Sequence, residues 1–83
     1  MATKEEIIKS LEGTIKTLEL AHYERAIELR DLLYFYKVSS IYELEDLSLF
    51  KVGAELVNEM DLLKDLADEL KHQVLKIREF NKI

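Results

Sequence analysis

The chain has no cysteine, no proline and no tryptophan, and it carries only two glycines in 83 residues. Without cysteine there can be no disulfide and no thiolate-ligated zinc, the staples on which many small extracellular domains depend. Without proline, nothing in the covalent chain forces a helix to stop. Gly13 and Gly53 are isolated from one another and cannot build a glycine-rich phosphate loop. No run approaches the ~20 consecutive apolar residues that a membrane span needs. The opening MATKEEIIKS turns charged at once, so no secretory leader is expected and a cytoplasmic location is.

What is present points to helices. Hydrophobic residues make up 48% of the chain and charged residues 35%, with 17 acids against 12 bases for a formal charge of −5. Glu, Leu, Lys and Ala, all strong helix formers, dominate. The apolar content is too high and too regularly spaced for a disordered chain. Strict apolar–polar alternation, the mark of a half-buried strand, persists nowhere. One all-α domain spanning 1–83 is expected.

Four helices are read from caps and periodicity, over about 4–20, 23–37, 41–47 and 49–80. Thr3 with Glu6 three residues on forms a capping box for the first. Its apolar residues Ile7, Ile8, Leu11, Ile15 and Leu18 recur at spacings of three and four. The second has Ala26, Ile27, Leu29, Leu33 and Tyr36 available for burial. The join at Leu20–His22 contains no Gly, Pro, Asn or Asp, so local chemistry equally allows one long helix from Thr3 to Val38. Ser39-Ser40 is the clearest break, and Ser40 with Glu43 reads as a second capping box. Ser48 is the candidate cap of the last helix. There Leu56, Met60, Leu63, Ala67, Leu70, Val74 and Ile77 step alternately by four and three, a heptad seam. Leu62, Leu66 and Phe80 widen that stripe beyond a strict seam, which favours a bundle or a larger assembly.

Leu20 to Leu33 reads LAHYERAIELRDLL. Tyr23 and Glu24, then Ala26, then the triplet Leu29-Arg30-Asp31 resemble the UVR motif, a helical hairpin of bacterial excision-repair subunits B and C and of some protease-associated regulators. The resemblance covers residues about 8–37, with Ile15 and Leu18 fitting the first arm. His22, Ala21 and Ile27 depart from the family pattern, which has an acid, a leucine and a second small residue there. Tyr23 to Ile27 also looks like the middle of a tetratricopeptide hairpin. The UVR resemblance implies a tight turn at Leu20–His22 and a protein-interaction element that pairs with another hairpin. Arg30 and Asp31 would then make contacts or fix the hairpin geometry. Read from the residues alone, Glu24, Glu28 and Arg30 form an ordinary solvated charge pattern.

Catalytic chemistry finds no foothold. There is no thiol nucleophile, and no serine stands near a histidine in sequence. Glu19 with His22 and Glu69 with His72 are both Glu-x-x-His, the unit that helices contribute to di-iron bundles. His72, however, lies about 160–200° from the heptad seam on a 3.6-residue helix and faces water, and the further inward-pointing glutamates are lacking. No metal, no cofactor and no enzymatic activity are expected. Nucleic acid is an unsuitable partner for a net acidic chain whose only basic run is Lys71, Lys76, Arg78 and Lys82.

The run Leu32-Leu33-Tyr34-Phe35-Tyr36 is different, because five consecutive bulky residues cannot all point inward from one helix. Exposed aromatic patches usually mark partner surfaces. The expected architecture is an antiparallel helical hairpin, a short helix and a long C-terminal helix in a small bundle. The expected function is a non-enzymatic protein–protein interaction module forming a homodimer or higher oligomer. Its expected interface residues are Leu33, Tyr34, Phe35, Tyr36, Leu63, Leu70 and Ile77. The rival expectation is an acidic inhibitor, antitoxin or immunity-type protein that masks a basic surface with the acids between Glu43 and Glu69.

Overall fold

The computed structural model describes residues 2–80. Among them are two long helices, α1 (Lys4–Phe35) and α2 (Leu47–Glu79), with a single 3-10 turn, Ile41–Glu43, in the connection and no strand. The protein is all-α. Its 32- and 33-residue helices pack antiparallel as one extended hairpin, 57 Å long and 18 by 17 Å across. The radius of gyration is 17.8 Å, against about 12 Å for a globular chain of this length.

The first helix starts where Thr3 predicts it. The Thr3 side chain accepts from the Glu6 N–H at 3.2 Å, meeting one of the donors that a helix start leaves free. The expected turn at Leu20–His22 is not formed, and the helices read as 4–20 and 23–37 are one. The physical reason is local: neither glycine, proline nor a side chain that competes for the backbone interrupts Leu20-Ala21-His22. The hairpin therefore closes between the two halves of the chain and not within residues 4–37.

Helix α1 ends two residues early, in a Schellman motif. The Val38 N–H donates to the Leu33 carbonyl at 3.0 Å and the Lys37 N–H to the Tyr34 carbonyl at 3.1 Å. Closing this motif puts Lys37 in the left-handed region at φ 55°, a conformation that glycine adopts without steric cost.

The segment expected to be a helix over 41–47 makes only one 3-10 turn. Leu44 turns extended and is buried. Asp46, not Ser48, then caps α2, its carboxylate accepting from the Ser48 N–H at 2.8 Å and the Leu49 N–H at 3.4 Å. Glu43 reaches back to accept from the backbone N–H groups of Ser39 and Ser40, as the capping-box pattern requires. This connection leans on α2 at Gly53, where an added Cβ would lie 2.7 Å from Ile41 Cγ2. Glycine is needed there for close approach.

The core between the helices is thin. Among the described residues, Ile15, Leu44, Ala67 and Val74 are the buried apolar members, and no large side chain is fully enclosed.

Two predictions concern these backbone positions. Gly53→Ala should destabilise the fold by about 1–2 kcal/mol, the clash with Ile41 outweighing the gain in helix propensity. Gly13→Ala, with open space around its Cβ, should instead stabilise by about 0.5–1 kcal/mol. Paired urea titrations read the opposite signs. Separately, Lys37→Gly should raise stability by about 0.5–1 kcal/mol by removing the left-handed strain. An unchanged or lower thermal midpoint would contradict that account.

Candidate functional site

Along α2, Leu56, Met60, Leu63, Leu70 and Ile77 are half-buried and Ala67 and Val74 buried. This is the heptad seam read from the sequence. Along α1 the matching seam is Ile8, Leu11, Ile15, Leu18, His22, Arg25, Leu29 and Leu32, all half-buried or buried. It keeps the alternating three–four step through the region where a turn was expected, with His22 and Arg25 standing at two of its positions.

The two flanks of this seam differ in chemistry. On one, Arg78 pairs with Glu12 at 3.5 Å and Lys71 with Glu19 at 3.3 Å. Ion pairs of this kind at positions beside a seam set helix orientation and register, although each is exposed and weak by itself. Lys16, Tyr23, Lys64 and Asp68 line shallow clefts on the same side. On the other flank, Ile7, Thr14 and Ala21 of α1 occupy positions facing Leu66, Gln73 and Phe80 of α2, and none of the six is charged. Ile7, Ile77 and Phe80, together with Lys4 and Lys76, line one shallow cavity there. Toward the loop end this flank closes on a charge cluster. Arg25 reaches from the seam to Glu59 of α2 at 2.6 Å and to Glu28 of its own helix at 2.9 Å.

The residues expected at a partner interface fall into two groups. Leu63, Leu70 and Ile77 lie half-buried on the α2 seam, toward α1. Leu33 is half-buried near the loop, while Tyr34, Phe35 and Tyr36 are exposed, Tyr34 at 85% and Phe35 at 75%. Phe35 and Tyr36 stack edge to face with ring centroids 5.0 Å apart, and Tyr42 is exposed beside Phe50, 6.0 Å between centroids. The loop end is thus an aromatic tip.

The stretch resembling the UVR motif lies on the unbroken α1. Tyr23 and Glu24 are exposed, Ala26 and Leu29 half-buried, and Arg30 pairs with its neighbour Asp31 at 3.1 Å on the surface. The turn that the resemblance implies is absent. The two Glu-x-x-His pairs lie apart in role: Glu19 is tied to Lys71, His22 sits in the seam, and Glu69 and His72 are exposed on α2. Among the described residues no group of three or more His, Cys, Asp or Glu side chains is placed to hold a metal ion. Lys82, part of the basic run read from the sequence, lies outside the described residues. None of the helices in the described residues is long and apolar enough to cross a membrane.

The residues that sequence reading left without a role are Arg25 and Glu59. Their signal was the heptad count itself, which places Arg25 at a seam position where an apolar residue is the norm. Comparison with known protein families, curated proteins and solved structures finds no match.

Arg25→Ala should cost about 0.5–1 kcal/mol at low ionic strength, because Glu28 and Glu59 lose their shared counter-charge. The cost should shrink as salt is raised. Thermal unfolding of both proteins in dilute and concentrated sodium chloride checks this.

Proposed function

We propose that this chain is a small non-enzymatic protein–protein interaction module whose first partner is itself. The carrying observation is surface. The chain exposes 6763 Å², whereas a compact monomer of 9.8 kDa exposes about 5,200 Å². The excess is about 1,600 Å², roughly twice what each partner contributes to a stable interface. Much of it is apolar: Leu20, Leu62, Leu66, Leu75 and Phe80, together with the aromatic tip, stand exposed. Two helices can cover only the seam between them, and core-facing helices with a wider stripe need further helices to cover the remainder. A second hairpin supplies two. The mechanism is burial of apolar helix faces, a non-directional force that needs no catalytic group.

Light scattering over a wide range of concentrations, in low and high salt, tests the reading. The expected mass is that of a dimer or higher oligomer, undiminished by salt, since burial of apolar surface is not screened. A single-chain mass at the highest concentration would overturn it.

A further inference from the structure

The proposed self-association leaves open which surface two copies share. The molecule offers three. The aromatic tip is the most exposed, but it is set at one end of a 57 Å rod, and Glu43, Glu45 and Asp46 follow Tyr42 in the same connection. A tip-to-tip dimer would bring those acids together. The flank carrying Glu12–Arg78 and Glu19–Lys71 already spends its side chains on pairs within the chain. Covering it would desolvate four charged groups.

The opposite flank has no ion pair between the helices in the terminal half of the described residues, where the pairs Glu12–Arg78 and Glu19–Lys71 lie on the far side. We propose that the flank bearing Ile7, Thr14, Ala21, Leu66, Gln73 and Phe80 is where a second copy docks, its terminal half against the same half of the partner. This rests on the self-association reading. Three observations carry it.

The first is charge. No ionisable group occupies those six positions over about 21 Å of helix, the rise from Ile7 to Ala21. A two-fold interface sets a surface against itself, so these six positions bring no like charge together. Lys4 and Lys76, which line the cavity with Ile7 and Phe80, must carry their ammonium groups out to water past the partner. The second is desolvation. Thr14 lies on this flank and Thr17 in the next row out. The Thr14 hydroxyl already donates to the Ser10 carbonyl at 3.1 Å, and the Thr17 hydroxyl to the Gly13 carbonyl at 3.1 Å. Both side chains can be covered without stranding a polar group, leaving their methyls to pack. Among the six, Gln73 is the one head group a partner must satisfy.

The third is apolar surface that stands exposed among the described residues. Leu66, Phe80 and Leu62 beside them are the residues that broaden the α2 stripe beyond its seam, and they are 48%, 79% and 62% exposed. A third and a fourth helix laid here would complete a four-helix bundle, the assembly that a widened stripe suits. Toward the loop, the two helices carry Glu24, Glu28, Asp31, Glu55 and Glu59, with Glu28 and Glu59 paired to Arg25 and Asp31 to Arg30. Like-charge repulsion keeps those halves apart and confines the overlap to the terminal halves.

Three single substitutions separate the possibilities, each followed by light scattering and by circular dichroism to confirm helix content. Leu66→Glu puts a charge in the proposed interface. Leu75→Glu does the same at an exposed position off this flank, and Val52→Glu at its loop end; Leu75 and Val52 are 52% and 49% exposed. Leu66→Glu should stay helical and raise the dimer dissociation constant at least about tenfold. The other two should associate as wild type does. Should Leu66→Glu lose helix content, Thr14→Glu, on the same flank of α1, must weaken the dimer by a similar factor. A wild-type dimer indifferent to both would overturn this flank while leaving self-association intact, as would one broken only by Leu75→Glu or Val52→Glu. A wild-type monomer would instead remove the self-association reading itself.

Discussion

Everything in this molecule depends on one seam, the line along which α1 and α2 touch. Two helices share only one stripe each, so a chain of this size built as a hairpin covers little of its apolar surface. The consequence is visible in which residues are buried. Ile15, Ala67 and Val74, of modest size and on the seam, are closed off, while among the described residues no large side chain is fully enclosed. Leucines and aromatics one position away from the seam stay wet. A globular fold of the same composition would bend the first helix back and cover them. Here the unbroken α1 commits the chain to length, and length exposes surface.

The unbroken helix also explains why the sequence was only partly legible. The seam of α2 could be read in full because each of its positions from Leu56 to Ile77 is apolar. The seam of α1 continues with the same step, but two of its positions hold His22 and Arg25. A reader following apolar residues alone loses the stripe there and picks it up again on Ala26 and Ile27, which lie at a different phase. That apparent change of face is what a turn would produce. Arg25 tolerates a seam position because its long stem can pack while its guanidinium leaves for Glu28 and Glu59 at the edge. A polar seam residue is thus compatible with a continuous helix when an acid waits beside it, and that acid lies on the other helix, remote in sequence.

The connection was misread for a related reason. Ser40 and Glu43 carry a true capping signal, and the backbone responds with one turn. Continuing as helix would compete with burial of Leu44 and with Asp46 serving as the cap of α2. Both are tertiary demands, invisible in a window of seven residues. Gly53 belongs to the same set: nothing around it in sequence distinguishes it from Gly13, yet it is buried beneath Ile41 while Gly13 has nothing near.

The chemistry of the candidate surface was legible only in fragments. Leu62, Leu66 and Phe80 stand out from the seam of α2 by position alone, but neutrality is a property of both helices together. It requires knowing that Ile7, Thr14 and Ala21 run alongside Leu66, Gln73 and Phe80, which follows once antiparallel register is set by Glu12–Arg78 and Glu19–Lys71 on the far side. The charged flank therefore does two things: it fixes how the two helices slide against each other, and by doing so it lines up the uncharged residues opposite. Orientation within the chain and the proposed association between chains are then assigned to opposite sides of one seam. The division is economical in physical terms, because exposed ion pairs contribute specificity with little net energy, whereas apolar burial contributes energy with little specificity.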